Sequence, residues 1–171
     1  KDGKQIFKSY EIIEFNGKKV SVIGLTSIFN HPELQIKDPI LILDNVLNDI
    51  DLNYKTDINI LLFHSNSADM KKIHQNDFNV DLVIQSKDQK LASDGGSEEI
   101  PSFACGSRGK YVYNFNLNCN NPDLDFIDLS KFKNKISLSN KKLKRMKKGN
   151  FEVSLEELYA DDSDKLQQIK K

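Results

Sequence analysis

Cysteine is scarce. Cys105 and Cys119 are the two in 171 residues, too few for a disulfide framework or a zinc cluster. They fall in neighbouring strand-like segments, so one bridge between them is geometrically open; two independent, partly buried thiols are the simpler reading. Net charge is missing as well. Lys and Arg number 25 and Asp and Glu 25, and without a basic excess the chain lacks the overall footprint of a nucleic-acid binder. No apolar stretch approaches the ~20 residues of a membrane-spanning helix. No basic-then-apolar signal segment opens the sequence, which starts Lys1-Asp2-Gly3-Lys4, so the chain reads as a mature, processed form or a piece of a longer one. Internal repeats and long low-complexity segments are absent too. What is present is a 38% hydrophobic content gathered in runs, which excludes general disorder. Abundant Asn, Lys and Ile, as in Asn118-Cys119-Asn120-Asn121, point to an AT-rich coding sequence and not to a function.

The runs have an order. Residues 7–15 read as a strand, Asn16-Gly17 as a hairpin turn, and Lys19 to Leu25 as the return strand entering a core. Asp38-Pro39 marks a helix start, after which Ile40, Leu43, Val46, Leu47 and Ile50 recur at helical spacing. Asp57 to Phe63 is a strand whose nearly continuous apolar end fits burial on both faces. Ser67 to His74 suits a short helix and Val80 to Ile84 a further strand. This alternation implies an α/β chain with a partly parallel sheet and flanking helices. Residues 85–99, with Gly95-Gly96, read as a loop. Pro101–Cys105 and Lys110–Leu117 read as a second antiparallel pair turning at Gly106-Ser107-Arg108-Gly109.

Beyond Pro122 the character changes. Residues 131–148 hold nine Lys and Arg and no acid. Such a run either binds an anionic partner, nucleic acid or lipid headgroups, or is a solvated connector, the commoner use. Ser154 with Glu157 forms a capping-box pattern opening a helix over 151–171, striped by Leu155, Leu158, Leu166 and Ile169. The expected division is 1–125, a basic connector at 126–150, and a helix at 151–171.

Three segments carry chemistry. Leu61-Leu62-Phe63-His64-Ser65 places a His at the carboxyl end of a buried strand. Asp81 to Gln89 runs from a strand into a polar loop. Cys105-Gly106-Ser107-Arg108-Gly109-Lys110-Tyr111 follows. Ligands of α/β sheets bind at the carboxyl ends of strands. With Asn16-Gly17-Lys18-Lys19-Val20-Ser21-Val22-Ile23-Gly24-Leu25-Thr26 in front of them, these segments resemble, over residues 7–118, the second half of the calcineurin-like metallophosphoesterase domain in its 5′-nucleotidase branch.

The resemblance implies the carboxyl half of a metallophosphoesterase β-sandwich, metal-assisted hydrolysis of nucleotide phosphate esters, and a divalent metal (Mn, Zn, Fe or Ca). It implies His64 as a metal ligand and Gln89 at a second ligand position. It also suggests a periplasmic or extracellular setting. The pattern breaks at Lys87, which stands where the Gly-His-x-His/Gln motif has its first His; Gln85 and Ser86 replace other motif positions. Lys offers donors only and is a poor metal ligand. The family's Asp-x-His and Asn-His-Asp/Glu motifs are not in this sequence. The expectation is therefore a degenerate relative, inactive as this chain, or a non-catalytic binding or structural module. A missing amino-terminal half or a partner chain is expected to cover the sheet edge. Of the remaining candidates, His31 and His74 read as surface residues and Arg108 as a turn residue with a minor claim on an anion.

Overall fold

A computed structural model of the chain describes residues 5–86, 100–104, 106, 112–119, 125–150, 152–162, 164, 165 and 167. It falls into two compact units, Lys1–Ile127 and Asp128–Lys171. The first is an α/β unit. Strand β1 (Tyr10–Phe15) turns at Asn16 (φ 52°) and Gly17 (φ 74°) into β2 (Lys18–Thr26). Two consecutive positive φ values match the right-handed twist of a two-residue hairpin, which is why Asn-Gly occurs here. Helix α1 (Pro39–Asn53), strand β3 (Ile58–His64), helix α2 (Ser67–Gln75), strand β4 (Leu82–Ser86) and strand β5 (Ser102–Ala104) follow. The sheet order is β1-β2-β3-β4-β5. β1 runs antiparallel to β2, and every later pairing is parallel.

The core forms on one face of this sheet. Ile23, Leu61 and Val83 stand in one register row across β2, β3 and β4, and none is exposed. Helix α1 starts where the Asp38 carboxylate accepts from the Ile40 N–H at 2.8 Å, with Pro39 in its first turn. Its Leu43, Val46, Leu47 and Ile50 join Met70 and Ile73 of α2 over the row. Each such side chain contributes roughly 1.5–3 kcal/mol on burial, so this layer carries most of the unit's stability. The opposite face is more open: Ile13 is 49% and Leu62 42% exposed.

A polar network closes the amino end of the sheet. Asn59 is 3% and Ser21 0% exposed. Asn59 Oδ1 accepts from Ser21 Oγ and from Thr56 Oγ1, each at 2.7 Å. Its Nδ2 donates to the Asn79 carbonyl at 2.8 Å, and its backbone N–H to Asp81 Oδ2 at 2.7 Å. Four hydrogen bonds thus make a polar residue compatible with burial at this position.

Two expectations need correction. β5 pairs parallel to β4, and the described residues 112–119 contain no strand, so Pro101–Cys105 and Lys110–Leu117 do not form an antiparallel pair. The alternation that suggested a strand is used otherwise. Tyr113 and Phe115 turn their rings onto Phe103, with centroids 5.9 and 5.0 Å away. In the second unit, α3 (Leu129–Lys147) runs through the basic stretch, capped by Asp128 Oδ1, which accepts from the Ser130 N–H at 2.9 Å. The helix expected over 151–171 is broken by a turn at 159–161, beyond which Asp164, Lys165 and Gln167 are helical again. Ser154 does cap a helix, accepting from the Glu157 N–H at 3.1 Å, but α4 spans Leu155–Leu158. The N–H of its C-cap, Tyr159, turns back to the Leu155 and Glu157 carbonyls. Leu166 and Ile169 lie outside the described residues, as do Gly95-Gly96.

Candidate functional site

The parallel register brings three strand ends into one row: Thr26 of β2, His64 of β3 and Ser86 of β4. All three belong to the carboxyl edge, where an α/β sheet presents side chains to a ligand. His64 Nδ1 lies 2.8 Å from Ser86 Oγ. That contact fixes the ring plane and leaves Nε2 as the nitrogen available to a ligand. Thr26 Oγ1 reaches the His64 carbonyl at 3.4 Å, and the Ser27 N–H donates to the same carbonyl at 2.9 Å. The backbone beneath His64 is therefore held from the β2 side while its ring is held from the β4 side.

Behind this row the chain enters α2 after two residues. Ser27 and Ser65 are 4% and 2% exposed. Ser27 Oγ accepts from the Asn66 N–H at 3.0 Å, and Ser65 Oγ lies 3.9 Å from Met70 Sδ. Asn66 caps the helix, its Oδ1 accepting from the Asp69 N–H at 2.8 Å, while its Nδ2 donates to Asp69 Oδ2 at 3.0 Å. Hydrogen bonding by the Ser27 hydroxyl, and then by Lys72 and Asn66, holds the Asp69 carboxyl below its ordinary range. Asp69 is thus an anion engaged in pinning the strand-to-helix turn.

The edge so described is an exposed imidazole backed by a hydroxyl, set on a turn that is hydrogen-bonded on both sides. It can donate to an anionic oxygen or offer one nitrogen to a metal. Among the described residues no group of three His, Cys, Asp or Glu side chains comes together. Lys87, Asp88, Gln89, Cys105 and Arg108 lie outside the described residues.

His74 departs from its expected surface position. It is half-buried between α2 and β5, with Nε2 3.3 Å from Ser102 Oγ and a buried Nδ1 that has no partner among the described residues. His31 is exposed, its Nδ1 accepting from the Glu33 N–H at 3.2 Å. Cys119 is a free, half-buried thiol. Sequence reasoning missed Ser86, Thr26 and the Asn66–Asp69 cap. The cap was signalled by Asn66 followed three residues later by an acid, just before an apolar-spaced segment. The Ser86 contact follows from in-register pairing of two strands that end together.

No family model and no curated protein matches the chain. Among solved structures it is similar to a hypothetical protein from Thermus thermophilus, at 16% sequence identity and a TM-score of 0.44. The likeness covers 58% of this chain and 39% of that one.

Proposed function

We propose that this chain is a metallophosphoesterase-like scaffold of the 5′-nucleotidase type that binds phosphate esters at its carboxyl edge and does not hydrolyse them by itself. One observation carries the reading: His64 ends a central parallel strand with its ring braced by Ser86 of the next strand end. In the reaction implied by the resemblance, a metal pair, with His64 as one of its ligands, would hold the phosphoryl group and activate water. Within this chain, His64 supplies one imidazole, and in the sequence Lys87 stands where the resemblance expects a second ligand. A cation and an N–H donor suit a phosphate dianion; they do not complete a metal pair.

A second reading, a structural module of a larger assembly, is favoured by the open sheet face, on which Ile13 is 49% and Leu62 42% exposed. Its partner would be the remaining half of such a domain or another chain laid against the sheet.

Titration calorimetry with a nucleoside monophosphate, together with a phosphatase assay after incubation with Mn²⁺, tests the proposal. The expected result is binding without turnover, with binding weakened in His64→Ala. Turnover that His64→Ala abolishes, accompanied by about one or two equivalents of bound metal, would make the chain an active enzyme. Neither binding nor turnover would leave the structural module.

A further inference from the structure

Helix α3 is the most strongly patterned surface outside the sheet. On a helical projection, Leu129, Phe132, Ile136 and Leu143 fall within an arc of about 60°. They are 58%, 49%, 60% and 40% exposed. Lys133 and Lys144 flank it on one side, Lys135 and Lys142 on the other. Residues 131–148 hold eight Lys, one Arg and no acid. Because the whole chain is neutral, the remainder is acidic, and the positive charge is concentrated here.

We propose that α3 lies in the surface of an anionic lipid bilayer, with its apolar stripe among the acyl chains and its lysines among the headgroups. Three observations select this partner. The exposed apolar stripe needs an apolar layer, which a nucleic acid backbone does not offer. Lysines on both flanks have the stem length to keep their ammonium groups at headgroup level while the stripe is immersed. The cations are nearly all Lys, suited to diffuse attraction by a charged surface, where specific phosphate forks favour Arg. The helix lies on the membrane and does not span it: among the described residues no helix is long and apolar enough to cross.

The test is co-sedimentation of the full chain with vesicles. One set is phosphatidylcholine; the other is phosphatidylcholine with about 30% phosphatidylserine, negative enough to attract roughly fivefold per cation. The chain is expected to pellet with the anionic set, to stay in solution with the neutral set, and to be released by salt. Lys135→Gln/Lys144→Gln, one from each flank, should weaken partitioning about thirtyfold, and Ile136→Ser about tenfold. Leu138→Ser, on the far face of the helix and 66% exposed in the parent, should change nothing. All of these positions are on the surface, and far-UV circular dichroism checks that each variant keeps its helix. Equal binding to neutral vesicles, no binding to anionic ones, or equal effects of Ile136→Ser and Leu138→Ser would each overturn the proposal. Tight RNA binding insensitive to Ile136→Ser, with no vesicle binding, would assign the helix to nucleic acid instead.

Discussion

Replacing Asn59 by Leu tests whether the buried polar network holds the amino end of the sheet. Leu has a similar volume, so packing changes little and the polar consequences dominate. Ser21 Oγ loses its acceptor at a position with 0% exposure, and an orphaned buried hydroxyl costs about 1–3 kcal/mol. Thr56 is half-buried and Asn79 exposed, so both recover water, and their lost bonds add about 1 kcal/mol together. The expected loss is about 2–4 kcal/mol, a large share of the 5–15 kcal/mol typical of a folded domain, by rough proportion. Urea unfolding followed by circular dichroism gives the value. The Ser21→Ala/Asn59→Leu double variant sharpens it: with the orphan gone, the double change should cost at least about 1 kcal/mol less than the sum of the singles. An Asn59→Leu variant within about 0.5 kcal/mol of the parent, or strict additivity, would refute the claim that the network is energetically closed.

His64→Ala should change stability by no more than about 0.5 kcal/mol in urea unfolding, because the ring is exposed; a loss several times larger would make it a structural residue. Burial pushes the Asp81 carboxyl above its ordinary value of 3.8, helped by Asp125 and opposed by the Asn59 N–H. Its contribution to stability is therefore fully present below that value and is lost as pH rises through the raised one. Asp81→Asn should remove this decline, read as urea midpoints measured from pH 4 upward. Asp57 and Asp69 are shifted the other way, so their contributions hold above 3.8 and fade as pH drops through their lowered values. Gly17→Ala, at φ 74°, should cost about 1 kcal/mol in thermal unfolding. Gly24→Ala meets nothing within 4 Å of its added Cβ and should gain a few tenths, roughly up to 1 kcal/mol.

Most of the first unit could be read in advance because its signals are local. Asn16-Gly17, Asp38-Pro39 and the spacing from Ile40 to Ile50 each act through adjacent residues, and the strands carry apolar runs. His64 was found because its strand ends visibly in the sequence. The brace from Ser86 was not, since it depends on the register between two strands. Helix α3 was hidden by its own charge. A dense run of lysines suggests a solvated connector, yet Phe132, Ile136 and Leu143 recur at helical intervals inside it, and Asp128 provides the cap. The segment around Tyr113 misled for the opposite reason. Its alternation is real, but it serves ring packing on Phe103 rather than a ladder, and periodicity alone does not distinguish the two. His74 reads as a surface residue because it falls on no motif; its contact with Ser102 of β5 comes from 28 residues farther along.

The sheet order repeats the chain order, so each strand after the first joins the edge left by its predecessor. Among the described strands, none lies between two that precede it in the chain. Opening can then proceed by peeling from the late edge without disturbing the hairpin. β5, three residues long and paired with β4 alone, should exchange its amides first. β4 should follow, and the amides around Ile23 and Leu61 should exchange last. The His64–Ser86 pair straddles that gradient, one member on a durable strand and the other on one that peels early. The carboxyl edge should therefore lose the brace on its imidazole in small local openings far short of global unfolding, and a ligand bound to both residues would slow exchange in β4 more than in β2.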